Sequence, residues 1–188
     1  LQEVGFNLFK RDISNVVHLK KATSELESNF SGSNRNKIKN AQKKYQFKIN
    51  NDDKAQTFWK ILLKNFTKHG VKPTHTLEDL ILLKKKFPKE IYFDIIYHDN
   101  IPISGICNFI LNKRVNSAFY LANDQDFLKI PALNYLLYNR ILKSHECGFD
   151  YYDFGTSSIN EVSNPSLIQF KESFGAFGIF KDTYLLSV

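Results

Sequence analysis

Two residues near the C-terminal end combine reactive side chains with a useful setting. Asp153 lies in Tyr151-Tyr152-Asp153-Phe154-Gly155-Thr156-Ser157, an aromatic run that reads as a short strand stopped by a glycine. Its aromatic neighbours make it a candidate catalytic base. The plainer alternative is an acid that caps the next loop or pairs with Lys171. Lys171 lies in Leu167-Ile168-Gln169-Phe170-Lys171-Glu172-Ser173-Phe174-Gly175. Asn164 and Pro165 predict a helix start in front of it, because Asn caps and Pro suits the first turn. Gly175 supplies the stop. A lysine on such a helix can pair with a carboxylate or a phosphate. The alternative is a surface lysine paired with Glu172 or Asp150. Lysines are rarely fully buried, so its removal is expected to leave folding intact. A helix that starts just past a strand end also attracts anions.

Arg35, Lys39 and Lys43 recur at i, i+4 and i+8 and form a basic stripe if residues 35–45 are helical. Such a stripe can grip a phosphate of a nucleotide-sugar or tRNA without reading sequence; a solvated helix face is the alternative. His69 and His75 bracket a turn with Gly70 and Pro73, and His75 is a candidate acid/base or substrate contact, with a capping or surface histidine as the alternative. Two histidines fall short of the three protein ligands a zinc site needs, so no metal is expected. Ser157 and Ser158 lack a G-x-S-x-G elbow, which argues against a hydrolase triad.

The chain has 188 residues, 43% hydrophobic, enough for one sizeable core. Its net charge of +7 favours an anionic partner such as a nucleotide, a nucleic acid or a phosphorylated glycan. Cys107 and Cys147 stand in apolar or helical surroundings, as reduced thiols of a cytoplasmic protein would. No apolar run reaches the roughly 20 residues of a membrane helix. The chain opens on Leu1 and contains no Met, which reads as a fragment or processed form of something longer.

The elements that must position these residues follow from periodicity. Residues 4–9 read as a strand, and 13–30 as a helix with Val16, Leu19, Leu26 and Phe30 inward and Ser24/Glu27 as a capping box. The basic helix 35–45 and a short strand 46–50 come next. Helices are expected at 55–69, 76–86 and 131–146, and antiparallel strands at 90–98, 101–112 and 116–122, with Asp99-Asn100 as the first turn. Strand 151–154, helix 164–174 and a closing hairpin over 178–188 complete the chain. This order implies an α/β (α+β) fold, a mixed sheet flanked by helices with an N-terminal helical appendage.

The arrangement resembles the GNAT acyltransferase fold, and three motifs narrow the resemblance to the FemABX family. Residues 35–44, Arg35-Asn36-Lys37-Ile38-Lys39-Asn40-Ala41-Gln42-Lys43-Lys44, resemble the basic helix that opens that family's second GNAT-like half. Phe149-Asp150-Tyr151-Tyr152-Asp153-Phe154-Gly155 resembles its closing strand, and 167–175 its last helix. The resemblance spans about 33–188, leaving 1–32 as a remnant or the end of a preceding unit. It implies an N-acyltransferase that moves an acetyl or aminoacyl group from acyl-CoA (acetyl-CoA) or aminoacyl-tRNA to an amino group of a cell-envelope precursor. It also implies that Lys171, at the family's Phe-Lys position with Phe170, belongs to the substrate site. Asn164, at the head of that helix, is a further substrate-binding candidate. The turn over 123–132 departs from CoA-dependent GNAT enzymes, since it has no glycine and two acids, Asp124 and Asp126. Two rival readings are a non-catalytic GNAT-like domain that binds a glycan or nucleotide-sugar, and a nucleic-acid binding module. A closed gap between strands 116–122 and 151–154 would support the former, whereas the enzyme is expected to have parallel strands that splay apart there.

Overall fold

The computed structural model describes residues 4–51, 54–67, 70, 72–159 and 162–186. The strands are β1 Phe6–His18, β2 Lys48–Asn50, β3 Ile91–His98, β4 Ile101–Asn112, β5 Val115–Asn123, β6 Tyr151–Thr156, β7 Ser158–Ile159, β8 Val162–Ser163 and β9 Phe177–Leu186. The helices are α1 Thr23–Ser28, α2 Gly32–Lys44, α3 Ala55–Thr67, α4 Leu77–Lys86, α5 Ala132–Glu146 and α6 Pro165–Glu172. Seven strands form one mixed sheet in the order β2-β3-β4-β5-β6-β1-β9, and β7-β8 is a separate hairpin.

The meander β3-β4-β5 is antiparallel, and Asp99 and Asn100 take the positive φ values, 49° and 62°, that a tight hairpin turn demands. β5 and β6 are parallel because α5 carries the chain back across the sheet between them. Each face of the sheet has its own core. Leu136, Leu137 and Ile141 of α5 pack with Phe30, Tyr152, Phe154 and Phe174. Phe58, Ile61 and Leu62 of α3 pack with Leu80 of α4 and Phe93. The two faces share β5: Ala118 and Leu121 belong to the first cluster, Tyr120 and Ala122 to the second.

The N-terminal segment departs from the expected helical appendage. Residues 13–18 continue β1, which pairs antiparallel with both β6 and β9 inside the sheet. Only Thr23–Ser28 is helical, and its cap is Ala22 with no side-chain bond, so the Ser24/Glu27 capping box does not form. The physical reason is burial on both sides: Ser14, Asn15, Val16 and Val17 are all buried, and an interior strand has no polar face to alternate with. The expected C-terminal hairpin is one strand, β9, running the length of β1. Helix 55–69 is helical over Ala55–Thr67, and His69 lies outside the described residues. Gly175 does end the last helix: its φ is +74°, and an added Cβ would sit 2.9 Å from Asn29 Cβ.

Candidate active site

β5 and β6 pair only through Val115↔Tyr151, Asn116↔Tyr152 and Ser117↔Asp153. β5 then continues to Asn123, while the end of β6 follows β1, with Thr156 opposite Ser14. The two strands therefore part from Ala118 and Phe154 onward, as the enzyme reading required. A bulge exaggerates the opening. Asn108 pairs with Ala118 but Cys107 with Tyr120, which leaves Phe119 as the extra residue. Gly155 stands across from the bulge, where its φ of +71° favours glycine.

Lys171 reaches the tip of β6 from α6. It is 2% exposed, so the expectation of a surface lysine is corrected. Its Nζ donates to the Gly155 carbonyl (2.7 Å), the Thr156 carbonyl (2.9 Å) and Ser157 Oγ (2.8 Å). Burial among these neutral acceptors pushes its pKa down from 10.5 to about 8, and the nearby Asp153 charge opposes that only in part. Ser157 Oγ in turn donates to Asn15 Oδ1 at 2.5 Å. Asp153 Oδ1 accepts from Ser14 Oγ (3.0 Å) and from the Gly155 N–H (2.7 Å), the loop-capping geometry of the plainer reading. Asn164 caps α6, its Oδ1 accepting from the Leu167 N–H at 3.1 Å. Phe170 is half-buried, edge-on to Phe174 at 5.4 Å.

On the face carrying α2, α5 and α6, a groove of about 640 Å³ lies beside α6, lined by Lys37, Asn134, Ser166, Gln169 and Phe170 among others. Its floor is a chain of amides: Asn134 Nδ2 donates to Asn34 Oδ1, and Asn34 Nδ2 donates to the Ser173 carbonyl. A second recess, of about 310 Å³, shares Lys37 and Asn134 and runs on to Lys44, Tyr45, Lys129 and Pro131. It ends at the first turn of α5, which has no side-chain cap and so presents N–H groups. The two acids of the preceding turn are held by Lys64, 2.7 Å from Asp124 Oδ2 and 3.2 Å from Asp126 Oδ2, which cancels much of their repulsion for an anion.

The structure brings Lys171, Asp153, Phe170 and Asn164 together and puts the basic stripe elsewhere. Arg35 Nη1 donates to the Ser28 and Phe30 carbonyls at the end of α1, a structural bond. Arg35 and Lys39 line a separate recess of about 130 Å³ with Glu27 and Tyr138. The α2 lysines facing the second recess are Lys37 and Lys44, seven residues apart on the neighbouring face of the same helix, and Lys37 also faces the groove. His75 lies on the opposite face, with Nδ1 3.0 Å from Tyr120 Oη and its ring 5.3 Å from the bulged Phe119.

No family model and no curated relative matches the chain. Solved structures do. FemX superposes with a TM-score of 0.77 at 14% identity, over 95% of this chain and 64% of its own. The C-terminal domain assigned to a lysylphosphatidylglycerol synthetase from Agrobacterium fabrum gives 0.71 at 9% identity, over 99% and 63%. L-PGS from Bacillus licheniformis gives 0.66 at 12% identity, over 97% and 62%. The chain thus has the FemABX/GNAT-like fold and spans under two thirds of each of these chains.

Proposed function

We propose that this chain is an acyltransferase domain that N-acylates an amino group of a cell-envelope precursor, with acyl-CoA (acetyl-CoA included) or aminoacyl-tRNA as donor. The observation that carries the reading is the fork between β5 and β6 with the Lys171 ammonium at its edge. The likeness to FemX and to a lysylphosphatidylglycerol synthetase domain supports it. The open fork also supports the enzyme reading over the non-catalytic rival.

In this reading 33–188 is the reacting unit and 1–32 lends it β1. The donor's phosphates lie on Lys37, Lys44, Lys129 and the first turn of α5. The acyl carbonyl enters the fork, and its carbon is attacked by the acceptor nitrogen. The tetrahedral oxyanion accepts from Lys171, which gives up one of its three present bonds, or from the main chain of β5 beyond Ser117. The carboxylate of Asp153 takes the amine proton and hands it to the sulfur or ribose oxygen as the carbon–sulfur or ester bond breaks, so that the carrier leaves as thiol or ribose hydroxyl and the carboxylate is restored. Phe170 and Asn164 shape the wall that the acyl group meets, and His75 contacts the acceptor from the other face. Both donors place the reaction in the cytoplasm.

The test is donor binding and transfer, with labelled acetyl-CoA and charged tRNA offered in turn with envelope precursors. Lys37→Ala with Lys129→Ala is expected to raise the donor KM by more than tenfold with kcat little changed. A protein that binds neither donor overturns the proposal; one that binds nucleotide-sugar without turnover favours the non-catalytic rival.

A further inference from the structure

β9 is an edge of the sheet, and among the described residues no strand pairs with its outer side. Natural edges are shielded by shortness, proline, inward charge or a bulge. β9 has ten residues and no proline, and its register with β1 is broken only by an extra residue on the β1 side, between Leu8 and Lys10. Eight of its ten residues are exposed, including Phe177, Ile179, Phe180, Leu185 and Leu186. Leu8 and Phe9 of β1 add to the same apolar end. Its only charges are Lys181 and Asp182, and Asp182 is already held by Arg11 through bonds of 2.7 and 2.8 Å. Alternation puts Phe177, Ile179, Lys181, Thr183 and Leu185 on one face and Gly178, Phe180, Asp182, Tyr184 and Leu186 on the other.

We propose that this edge is a dimer interface, closed by a second copy of the same chain whose β9 pairs antiparallel with this one about a two-fold axis at Asp182. An axis normal to the sheet keeps like faces together, so opposed residues must differ by an even number. Centring on Lys181 opposes two lysines and sets Phe180 against Asp182. Centring on Asp182 instead sets Phe180 of each copy against Tyr184 of the other, Ile179 against Leu185, and Gly178 against Leu186. The two Asp182 carboxylates then meet at the axis, each neutralised by its own Arg11, so charges run plus, minus, minus, plus across the joint. The exposed parts of Phe177, Ile179, Phe180, Leu185 and Leu186, on side chains of about 150–250 Å² for aromatics, set a ceiling of roughly 1,000 Å² for two copies, the size at which specific interfaces begin. The joined sheet would leave both forks open, since β5 and β6 lie two or more strands inward.

Sedimentation equilibrium of the full chain from 1 to 200 μM tests this. The expected result is a reversible dimer, with Ile179→Lys plus Leu185→Lys raising its dissociation constant more than tenfold while the melting temperature of the dilute monomer is unchanged, because both residues are exposed. The register is read by oxidative cross-linking in a Cys147→Ser background, which removes the exposed native thiol. Asp182→Cys should cross-link across the axis and Ile179→Cys should not. A monomer at every concentration overturns the proposal, including one whose edge is covered by another segment of a longer chain. A dimer indifferent to the lysine pair, or one cross-linked through Ile179→Cys but not Asp182→Cys, overturns it as well.

Discussion

Replacing Lys171 tests the site and the fold together, because the lysine carries a charge where water is absent. Its pKa falls from 10.5 to about 8 on burial, which corresponds to about 3 kcal/mol of cost for keeping it protonated in the folded chain at neutral pH. Since the folded value is the lower one, the unfolded chain binds more protons between pH 8 and 10.5. Stability should therefore rise with pH across that window, with the full cost present below about pH 8. Lys171→Met removes the charge and most of that pH dependence. It also takes the ammonium donor from the Gly155 and Thr156 carbonyls, at about 1–3 kcal/mol each, while Ser157 Oγ keeps its bond to Asn15. The net expectation is a loss of a few kcal/mol at pH 7 and a larger loss at pH 10, where the wild type no longer carries its penalty. Urea unfolding at pH 7, 8, 9 and 10 measures both chains. Parallel stability curves for wild type and Lys171→Met would refute the account of a buried, charge-strained lysine. Turnover adds a second readout. If the ammonium stabilises the oxyanion, kcat should fall as pH rises through about 8. A rise through the same pH would assign Lys171 to proton removal instead.

Two further expectations concern the core. Arg140 Nη2 sits 2.7 Å from Asp94 Oδ1, and Asp94 Oδ2 accepts from Asn108 Nδ2 at 2.7 Å, so Asp94→Ala should cost about 3–5 kcal/mol in urea unfolding; a loss under 1 kcal/mol would show the pair to be dispensable. Burial pushes the Cys107 thiol far up, while Cys147 is exposed, so a thiol reagent should modify one site in the folded chain and two in denaturant; rapid native labelling of Cys107 would contradict its place in the core.

Much of the sheet was legible because its strands announce themselves locally. The Asp99-Asn100 turn, the aromatic run of β6 and the capped, glycine-stopped α6 each follow from a few adjacent residues. β1 was not legible, because Ser14 and Asn15 are turn-like residues in isolation. Inside the sheet Asp153 accepts from Ser14 Oγ and Ser157 donates to Asn15 Oδ1, partners about 140 residues away that no local pattern reveals. Lys171 was found by its motif but misjudged as surface-exposed for the same reason: its acceptors are carbonyls, which no side-chain pattern reveals. The groove lysines were missed by following the face led by Arg35, whose guanidinium turns out to cap α1. The fork depends on where pairing stops, a property of register between Ser117 and Asp153 that neither strand encodes by itself.

The placement of β1 has a consequence for how the chain comes into being. It is made well before both of its neighbours: Ser14 awaits Thr156, and Phe6 awaits Leu186. At ribosomal speeds of about 5–20 residues per second, β1 waits on the order of ten seconds before either edge can close on it. The helical hairpin of α3 and α4 and the β3-β4-β5 meander can form locally during that time, whereas the wall holding Lys171 cannot. A chain stalled or clipped before residue 177 would keep most of its helices and lose the strand against which β1 is sealed. Assembly should therefore be slow and of high contact order, with the pairing of β1 as its final step. Until then Val16 and Val17 stay open to whatever holds nascent chains in solution.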